Sequence, residues 1–357
     1  MSTSEDQSIF AQYYGEEPFF DRYANDHTDA VDVIIPVIHT NELWRKNLIS
    51  IYREIPVNRL ILGDGGCIDG SIDLARQFPR VQVLDHRAFI SLGYSLRHLI
   101  EAVETDWFVY LHSDVYLPPD WFAAMAAHRG DYDWFECDQR ITVMADYRLQ
   151  VADDARAFSG SQMGRKAAFG DVVSQIDDDF LYRNEDIILA SLITRAGHRY
   201  GRVRSAFHFH QVMHKPSRWR RAIKNVDIHL DLGDDEALRA SDTYLRGIVK
   251  YLDPDQTPAD VIESLRYPIS RLIEIKAFDA EEFRAWIATT NPKWLVHFKD
   301  AGTSARRDWI ADRLIVAARL YRNQGARWLL WFVAKQAMKK LKRPARAVSA
   351  SKPKQGG

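Results

Sequence analysis

A dense run of β-branched and apolar residues near the start of the chain sets the strongest limit on its fold. Residues 31–38 read as a strand with both faces buried, as strands of a parallel sheet are. Apolar residues at helical spacing follow until Pro56, and residues 59–63 read as a second strand. Because parallel strands need crossover connections, this alternation predicts right-handed β-α-β units in an α/β domain.

The same alternation continues along the chain. A short helix over 70–78, a strand over 81–84, a helix over 93–103 and a strand over 106–111 are predicted. A helix starting at Pro118-Pro119, a strand over 132–137 and irregular β-type sequence to Leu149 follow. Ligands of open α/β sheets bind at the carboxyl ends of the strands. We therefore expect the loops 39–42, 64–70 and 112–115 to converge.

Composition limits the classes of function. The 48 Lys and Arg residues against 49 Asp and Glu residues give a formal net charge of −1, which argues against a general nucleic-acid coating protein. Cys67 and Cys137 form no Cys-x-x-Cys pair, which argues against a disulfide scaffold or a cysteine metal site. No apolar run approaches the roughly 20 residues that span a bilayer. We expect a cytoplasmic protein.

The pattern changes near residue 215 to long helical stretches without strands, over 239–252, 259–275 and 280–289. Five parts are therefore predicted: an acidic amino-terminal extension over 1–30, the α/β domain over 31–215, a helical region over 216–325, a basic amphipathic helix over 326–343 and a disordered tail over 344–357. The chain from Arg313 onward contains twelve bases and no acid. A basic amphipathic helix like that predicted over 326–343 is typical of a peripheral contact with an anionic membrane, or of packing on the domain or a second subunit.

Two of the predicted strand ends carry candidate binding residues. Asp64 follows a strand and precedes Gly65, so its carboxylate is suited to a base or ribose, although an Asp-Gly pair after a strand is also an ordinary turn. His112 and Asp114 are two residues apart, so both side chains can face one cation at a strand end. An Asp at this place is equally a turn or cap residue.

Further candidates lie later in the chain. Residues 159–166 begin with small residues and end with two basic ones. This pattern is compatible with close approach of a sugar and equally with an ordinary loop. Glu185 and Asp186 open a helix, where acids act either as capping residues or as a proton acceptor. The polar and charged candidates that follow them are His208, His210, His214, Lys215, Arg218, Arg220 and Arg221. The histidines suit a zinc site or the completion of a site built elsewhere, and the bases suit a diphosphate or a solvated face.

In their order and spacing these motifs, across residues 32–214, resemble the family 2 glycosyltransferases of the GT-A fold. Residues 33–37 resemble the first strand and residues 62–71 the family's Asp-Asp-Gly-Ser-x-Asp-Gly-Ser loop. His112-Ser-Asp114 resembles the Asp-x-Asp metal motif, and residues 160–169 and 184–197 resemble the acceptor loop and the Glu-Asp helix. The resemblance implies a GT-A type, Rossmann-like mixed sheet flanked by helices.

The resemblance also implies an activity, which is transfer of a hexose from a nucleoside-diphosphate sugar to a hydroxyl of a glycan or lipid-linked acceptor. It implies inversion, assistance by Mn²⁺ or Mg²⁺, and a place in polysaccharide biosynthesis. Asp186 is the implied general base, with Glu185 beside it, and His112, Asp114, His208 and His210 are the implied metal ligands. The implied nucleotide-sugar site contains Pro36, Val37, His39, Asn41, Glu42, Asp64, Gly65, His112, Ser113, Asp114, Gly160, Ser161, Lys215 and Arg218.

The sequence departs from the family pattern at several places. Gly63 stands where the family usually has its first loop Asp, and His112 stands where it often has the first Asp of the metal motif. Residues 215–219 resemble the Gln-x-x-Arg-Trp motif of processive synthases, with Lys215 in place of Gln and without a membrane channel segment. We therefore expect a non-processive enzyme.

Two other functions are compatible with the sequence. A sugar nucleotidyltransferase shares an α/β nucleotide fold and metal-binding acids, but it usually has a Gly-rich loop with a basic residue after the first strand, which residues 37–41 lack. A non-catalytic nucleotide- or sugar-binding scaffold is the alternative from another class.

Overall fold

One sheet organises the described part of the chain. The computed structural model describes residues 18–38, 40, 43–89, 91–143, 148–151, 160–178, 185–212, 242–255, 262 and 279–298, with the single residues 310, 314, 326 and 330. Its strands form one nine-stranded sheet. Four parallel strands make one half, in the spatial order β3 (Val81–Asp85), β2 (Val57–Asp64), β1 (Val31–Val37) and β4 (Trp107–Leu111).

The other half of the sheet is mixed. Strand β8 (Ser161–Arg165) lies antiparallel to β4 and is followed by β6 (Trp134–Val143). Strand β9 (Tyr200–Val212) runs parallel to β6, and β5 (Val115–Tyr116) pairs antiparallel with β9. Strand β7 (Arg148–Val151) pairs with β6 outside this order.

Helices cover both faces of the sheet. In chain order they are α1 (Arg22–Asn25), α2 (Trp44–Glu54), α3 (Ser71–Ala75), α4 (Leu92–Ala102), α5 (Trp121–Ala126), α6 (Gly170–Val173), α7 (Glu185–Arg195), α8 (Asp242–Tyr251), α9 (Ala280–Thr290) and α10 (Leu295–Phe298). Short 3-10 turns cover Lys166–Phe169 and Pro292–Trp294.

Side-chain alternation along the strands produces two apolar cores. On one face, Ile34 of β1 packs in a cluster with Leu96 of α4 and Ile193 of α7. On the other face, Ile35 packs with residues of α2 and α5, including Leu48. Because successive side chains of a strand point to opposite faces, a strand between two helical layers is apolar throughout. This explains the dense apolar run of β1 and confirms the predicted α/β class, with a mixed sheet flanked by helices.

The predicted order of strands and helices agrees with the structure up to residue 111, with boundaries that differ by a few residues. Strand β6 is longer than predicted and reaches Val143 because β9 pairs with it from Trp134 to Val143, with a register shift after Cys137. The strand predicted from residues 206–210 extends over the whole of β9. The predicted helix over 259–275 and the tail over 344–357 lie outside the described residues, Ile262 excepted.

Contacts divide the chain into two compact units, Met1–Asp312 and Arg313–Gly357. Within the first unit, Val249 of α8 and Phe283 of α9 belong to the same apolar cluster as α4 and α7. The Asn291 side chain donates to the carbonyl groups of Val249 and Leu252, which joins the end of α9 to the end of α8. The finer division of the chain at residue 215 stays a prediction.

Among the described residues, no helix has the length and apolar character that a bilayer crossing requires. Two residues of the predicted amphipathic helix over 326–343 are described, Ala326 and Leu330, and both are helical. The rest of this predicted helix lies outside the described residues.

Candidate active site

The ends of the parallel strands meet at one edge of the sheet. Pro36 lies opposite Gly63, and Val37 lies opposite Asp64. The amide of Gly65 donates to the Val37 carbonyl oxygen at 2.7 Å, so the loop after β2 is joined to the end of β1. Two of the predicted nucleotide-sugar residues, Val37 and Asp64, are therefore neighbours.

The Asp64 carboxylate organises its own loop. Its Oδ1 accepts hydrogen bonds from the amides of Gly66 at 2.9 Å and Cys67 at 2.8 Å. Asp64 is half-buried, and Oδ1 is the oxygen that the turn uses. The turn and the binding interpretation of this Asp are thus compatible, since a carboxylate has two oxygen atoms. Farther along the loop, Asp69 accepts from the Thr40 amide at 2.8 Å and ties the first two loops together.

Gly63 is required by a close approach of His86. A Cβ atom at position 63 would lie 2.5 Å from His86 Nδ1 and 3.1 Å from Ser95 Oγ. The His86 ring is buried and its Nδ1 is 2.6 Å from the Ser95 hydroxyl, so the ring is held in place. A side chain at position 63, such as the Asp that the resemblance would place there, would therefore clash with His86.

His112, Asp114 and His210 form a group that could hold a metal ion. One ligand atom from each lies within 4.8 Å of the others. The short strand β5 produces this arrangement, because Val115 pairs with His210 and brings Asp114 to 3.3 Å from His210 Nε2. The His112 and His210 rings are perpendicular, with centroids 5.6 Å apart.

Gly160 connects the parts of this group. Its carbonyl oxygen accepts from the His112 amide at 2.8 Å. A Cβ atom here would lie 2.8 Å from Val115 Cγ2 and 3.0 Å from His210 Cε1. The predicted role of this small residue is thus accompanied by a packing role, since it gives the His210 ring the space it occupies.

A carboxylate from α7 reaches the same group. His112 Nε2 is 3.1 Å from Glu185 Oε1 and 3.0 Å from the Tyr110 hydroxyl, which itself donates to Glu185 Oε1 at 2.7 Å. Glu185 and Asp186 are each 4% exposed at the start of α7. The structure therefore brings the two predicted catalytic acids close to the predicted metal motif.

The electrostatics of the group favour ionised carboxylates beside protonated imidazole. Burial alone lowers the pKa of His112, but the hydrogen bond and charge of Glu185 outweigh it and raise that pKa to about 9. Burial raises the pKa of Asp114, but the neighbouring His210 and His112 outweigh burial and hold that pKa well below its usual range. The hydrogen bonds of Glu185 to His112 and Tyr110 likewise outweigh its burial and lower its pKa.

Ser161 and His208 lie outside this group. Both are completely buried, and Ser161 Oγ is 2.8 Å from His208 Nδ1 and 3.2 Å from the Cys137 thiol. Burial, with the nearby His210 and His112, holds the pKa of His208 far below its ordinary value, so this imidazole is neutral. His208 shares a strand face with His210, as predicted, at a ring distance of 5.7 Å.

The remaining predicted residues divide into two sets. Ser113 is described, and its carbonyl oxygen accepts from the buried Asn47 side chain of α2 at 3.0 Å, which anchors the His112–Asp114 loop. The others lie outside the described residues: His39, Asn41, Glu42, His214, Lys215, Arg218, Arg220 and Arg221.

Sequence reasoning missed Tyr110 and Asn47. Tyr110 precedes His112 by two residues at the end of a strand, and strand periodicity places such residues on one face, so a signal for Tyr110 existed. Asn47 gave no such signal, because it lies within a helix and its contact with residue 113 depends on tertiary packing.

Several solved structures are similar to the chain at low sequence identity. Among solved structures, the mannosyltransferase PcManGT from Pyrobaculum calidifontis, in complex with GDP-Man and Mn²⁺, is similar with 12% identity, 93% coverage of each chain and a TM-score of 0.46. GalNAc-T7 with UDP, GalNAc and Mn²⁺ is similar with 11% identity, 77% coverage of this chain, 57% of its own and a TM-score of 0.47. S. aureus TarS 1-349 with UDP-GlcNAc has 13% identity, 82% and 91% coverage and a TM-score of 0.42.

No curated protein matches the chain by sequence. The family model described as Glycosyl transferase family 2 matches residues 32–150. This segment contains strands β1 to β6, most of β7, the Asp64 loop and the His112-Ser-Asp114 motif. This segment, a third of the chain, is similar to glycosyl transferase family 2.

Proposed function

We propose that the protein is a glycosyltransferase that moves a hexose from a nucleoside-diphosphate sugar to an acceptor hydroxyl with inversion at the anomeric carbon. The observation that carries the proposal is the His112, Asp114 and His210 group, with the acidic start of α7 beside it. A site for a divalent cation next to a candidate proton acceptor suits a displacement in which a diphosphate leaves.

The donor atoms of the group fit a divalent cation. Two imidazole nitrogens and one carboxylate oxygen are ligands that transition metals accept readily, whereas Mg²⁺ prefers oxygen ligands. Mn²⁺ is therefore the better candidate of the two ions that the sequence suggests. A bound divalent cation would neutralise the negative charge that develops on the diphosphate.

The nucleotide-sugar would lie along the carboxyl ends of β1, β2 and β4. Asp64, whose Oδ1 is engaged in the turn, offers its other oxygen to the ribose or base, and Gly65 allows close approach of the backbone. Pro36, Val37 and Ser113 line the same edge, and Lys215 and Arg218 are candidates to contact the diphosphate.

Asp186 is the candidate general base. The acceptor oxygen would attack the anomeric carbon on the side opposite the diphosphate, while its proton passes to the Asp186 carboxylate. The bond between the anomeric carbon and the phosphate oxygen breaks, and the nucleoside diphosphate leaves with the electron pair. One displacement of this kind inverts the configuration.

The acceptor is proposed to be a glycan or a lipid-linked hydroxyl, as in polysaccharide biosynthesis. The basic amphipathic pattern over 326–343 supports a peripheral contact with the anionic cytoplasmic face of a membrane, where lipid-linked acceptors lie.

A donor panel tests this function. Nucleoside-diphosphate sugars are incubated with Mn²⁺ and sugar acceptors, and release of nucleoside diphosphate is measured for wild type and Asp186→Asn. Loss of the base should lower turnover by about 10²- to 10⁴-fold and leave nucleotide binding unchanged. Asp73→Asn, whose carboxylate is exposed and paired with Arg76, is the control and should keep wild-type turnover.

The alternatives predict other outcomes in the same panel. Release of pyrophosphate from a nucleoside triphosphate and a sugar 1-phosphate would indicate a nucleotidyltransferase. Binding without turnover of any donor, in wild type and variants alike, would support the non-catalytic scaffold and contradict the proposal.

A further inference from the structure

One carboxylate connects the candidate metal group with the first turn of α7. Glu185 Oε1 is 2.7 Å from the Tyr110 hydroxyl and 3.1 Å from His112 Nε2. Tyr110 is fully buried and Glu185 is 4% exposed, so these polar contacts are made away from bulk solvent. Buried polar contacts of this kind hold their groups in fixed orientations.

The contact with Glu185 determines which nitrogen of His112 carries hydrogen. A carboxylate accepts hydrogen bonds, and the Tyr110 hydroxyl has its own hydrogen directed at Glu185, so the hydrogen between His112 and Glu185 belongs to Nε2. A metal ion that binds Nδ1 would displace the hydrogen of the protonated ring from that nitrogen, and Nε2 would keep its hydrogen toward Glu185. No described residue forms a hydrogen bond with Nδ1 of His112, which leaves that nitrogen for an ion shared with Asp114 and His210.

We propose that Glu185 is a positioning residue that orients His112 for metal binding, through a carboxylate–histidine–metal arrangement with His112 Nδ1 as the ligand atom. This inference rests on the proposed function, since it concerns the same cation site. Carboxylates that hold the second nitrogen of a metal-binding histidine fix its ring and increase its basicity. Tyr110 supports the arrangement by holding Glu185.

The two acids at the start of α7 thereby receive different tasks. The same Glu185 oxygen meets two donors, which suits an orienting group better than a base that must receive a proton from the acceptor. Asp186, the next residue, keeps the role of proton acceptor. Glu185 and Asp186 belong to one helical turn. The position of His112, which contacts Glu185, is therefore fixed relative to that of Asp186.

The test measures metal affinity directly. Titration calorimetry with Mn²⁺ alone is carried out on wild type, Glu185→Gln, Glu185→Ala and Tyr110→Phe. We expect Glu185→Ala to bind Mn²⁺ about 10- to 100-fold more weakly, with a smaller loss in Glu185→Gln, whose amide oxygen can still accept from Nε2. Tyr110→Phe should lose less than Glu185→Ala because His112 keeps its contact with Glu185.

A control and a spectroscopic readout separate positioning from general folding. Glu104→Gln alters an acid that pairs with Arg59 and has a 73% exposed side chain, and it should bind Mn²⁺ as wild type does. Nitrogen-15 NMR of the histidines in the presence of Zn²⁺ should show His112 with hydrogen on Nε2 in wild type, and this signature should change in Glu185→Ala. Unchanged melting of Glu185→Gln would show that the variant is folded.

The outcomes distinguish this inference from the proposed function. Wild-type Mn²⁺ affinity in Glu185→Ala, with turnover lost, would overturn the positioning role and assign Glu185 as a base, while the proposed function stands. Binding of Mn²⁺ through Nε2 of His112 would also overturn the inference. Failure of wild type to bind Mn²⁺ would contradict both the inference and the metal part of the proposed function.

Discussion

At position 63 a glycine is present because the ring of His86 fills the space in which a side chain would lie. In the sequence, Gly63 departs from the loop of the family that the chain resembles. The sequence does not reveal the contact with His86, because His86 follows the next strand along the chain. The opposite holds for Asp64, whose place after a strand sufficed to predict both a turn and a candidate binding group. Single-residue roles were thus predictable where they depend on local chain geometry, and not where they depend on a distant side chain.

The buried carboxylate of Asp32 makes the stability of the protein depend on pH. This completely buried carboxylate accepts from the Arg59 guanidinium, the Asn58 amide and the backbone amide of Glu104. Burial raises its pKa, but these hydrogen bonds outweigh burial and lower the pKa below 3.8. Because the folded-state pKa is lowered, the stabilisation is present above the unfolded value and is lost as pH falls through the folded pKa.

We therefore expect Asp32→Ala to lower the free energy of unfolding at pH 7 by about 3 kcal/mol, since it leaves Arg59 without its buried partner. The difference from wild type should shrink as the pH falls below about 4. Urea denaturation at several pH values measures it. Asp73→Ala, from an exposed ion pair, is the control, and equal stability of Asp32→Ala and wild type at pH 7 would contradict the account.

At the scale of elements, the parallel strands were predictable because each is a short, mainly apolar segment between turn residues. Strand β5 was not, since a strand of two residues has no periodicity of its own and exists through its pairing with β9. Yet β5 is the element that brings Asp114 to His210. The candidate ligands were therefore predictable as residues, but the group that they form depends on a long-range strand pair.

Gly160 tests this dependence on strand packing. In Gly160→Ala the new Cβ would meet Val115 and the His210 ring, so β5, β8 and β9 must separate or the ring must turn. We expect Mn²⁺ affinity to fall by about tenfold or more, as when the orientation of a metal-binding histidine is disturbed. Gly170→Ala is a matched control, because its Cβ would have no heavy atom within 4 Å. Titration calorimetry that shows equal affinity for Gly160→Ala and wild type would contradict the role of Gly160.

At the scale of the whole molecule, the near-zero net charge conceals an uneven distribution, with twelve bases and no acid from Arg313 onward. The structure separates Arg313–Gly357 from the rest as a compact unit of its own. Composition was sufficient to predict this charge asymmetry. It was not sufficient to predict the partner of the basic segment, because membrane contact and protein packing require similar amphipathic patterns.

The membrane interpretation is tested by flotation with vesicles. The full-length chain should float with vesicles that contain anionic lipid and not with neutral ones, and binding should weaken as salt is added. Substitution of Lys335, Lys339, Lys342 and Arg343 by Gln should remove the flotation and leave turnover of a water-soluble acceptor unchanged. Flotation that is unaffected by these substitutions would contradict the role of residues 326–343.

The proposed function requires a nucleotide site that depends on a cation held by His112, Asp114 and His210. The most direct measurement is the melting temperature of wild type and Asp114→Ala with each nucleoside diphosphate, with and without Mn²⁺. A ligand of the native state at 100 times its Kd stabilises it by about 2.7 kcal/mol. We predict a rise in melting temperature with one nucleotide, only in the presence of Mn²⁺ and only in wild type. An equal rise in Asp114→Ala, or no rise with any nucleotide, would contradict the account.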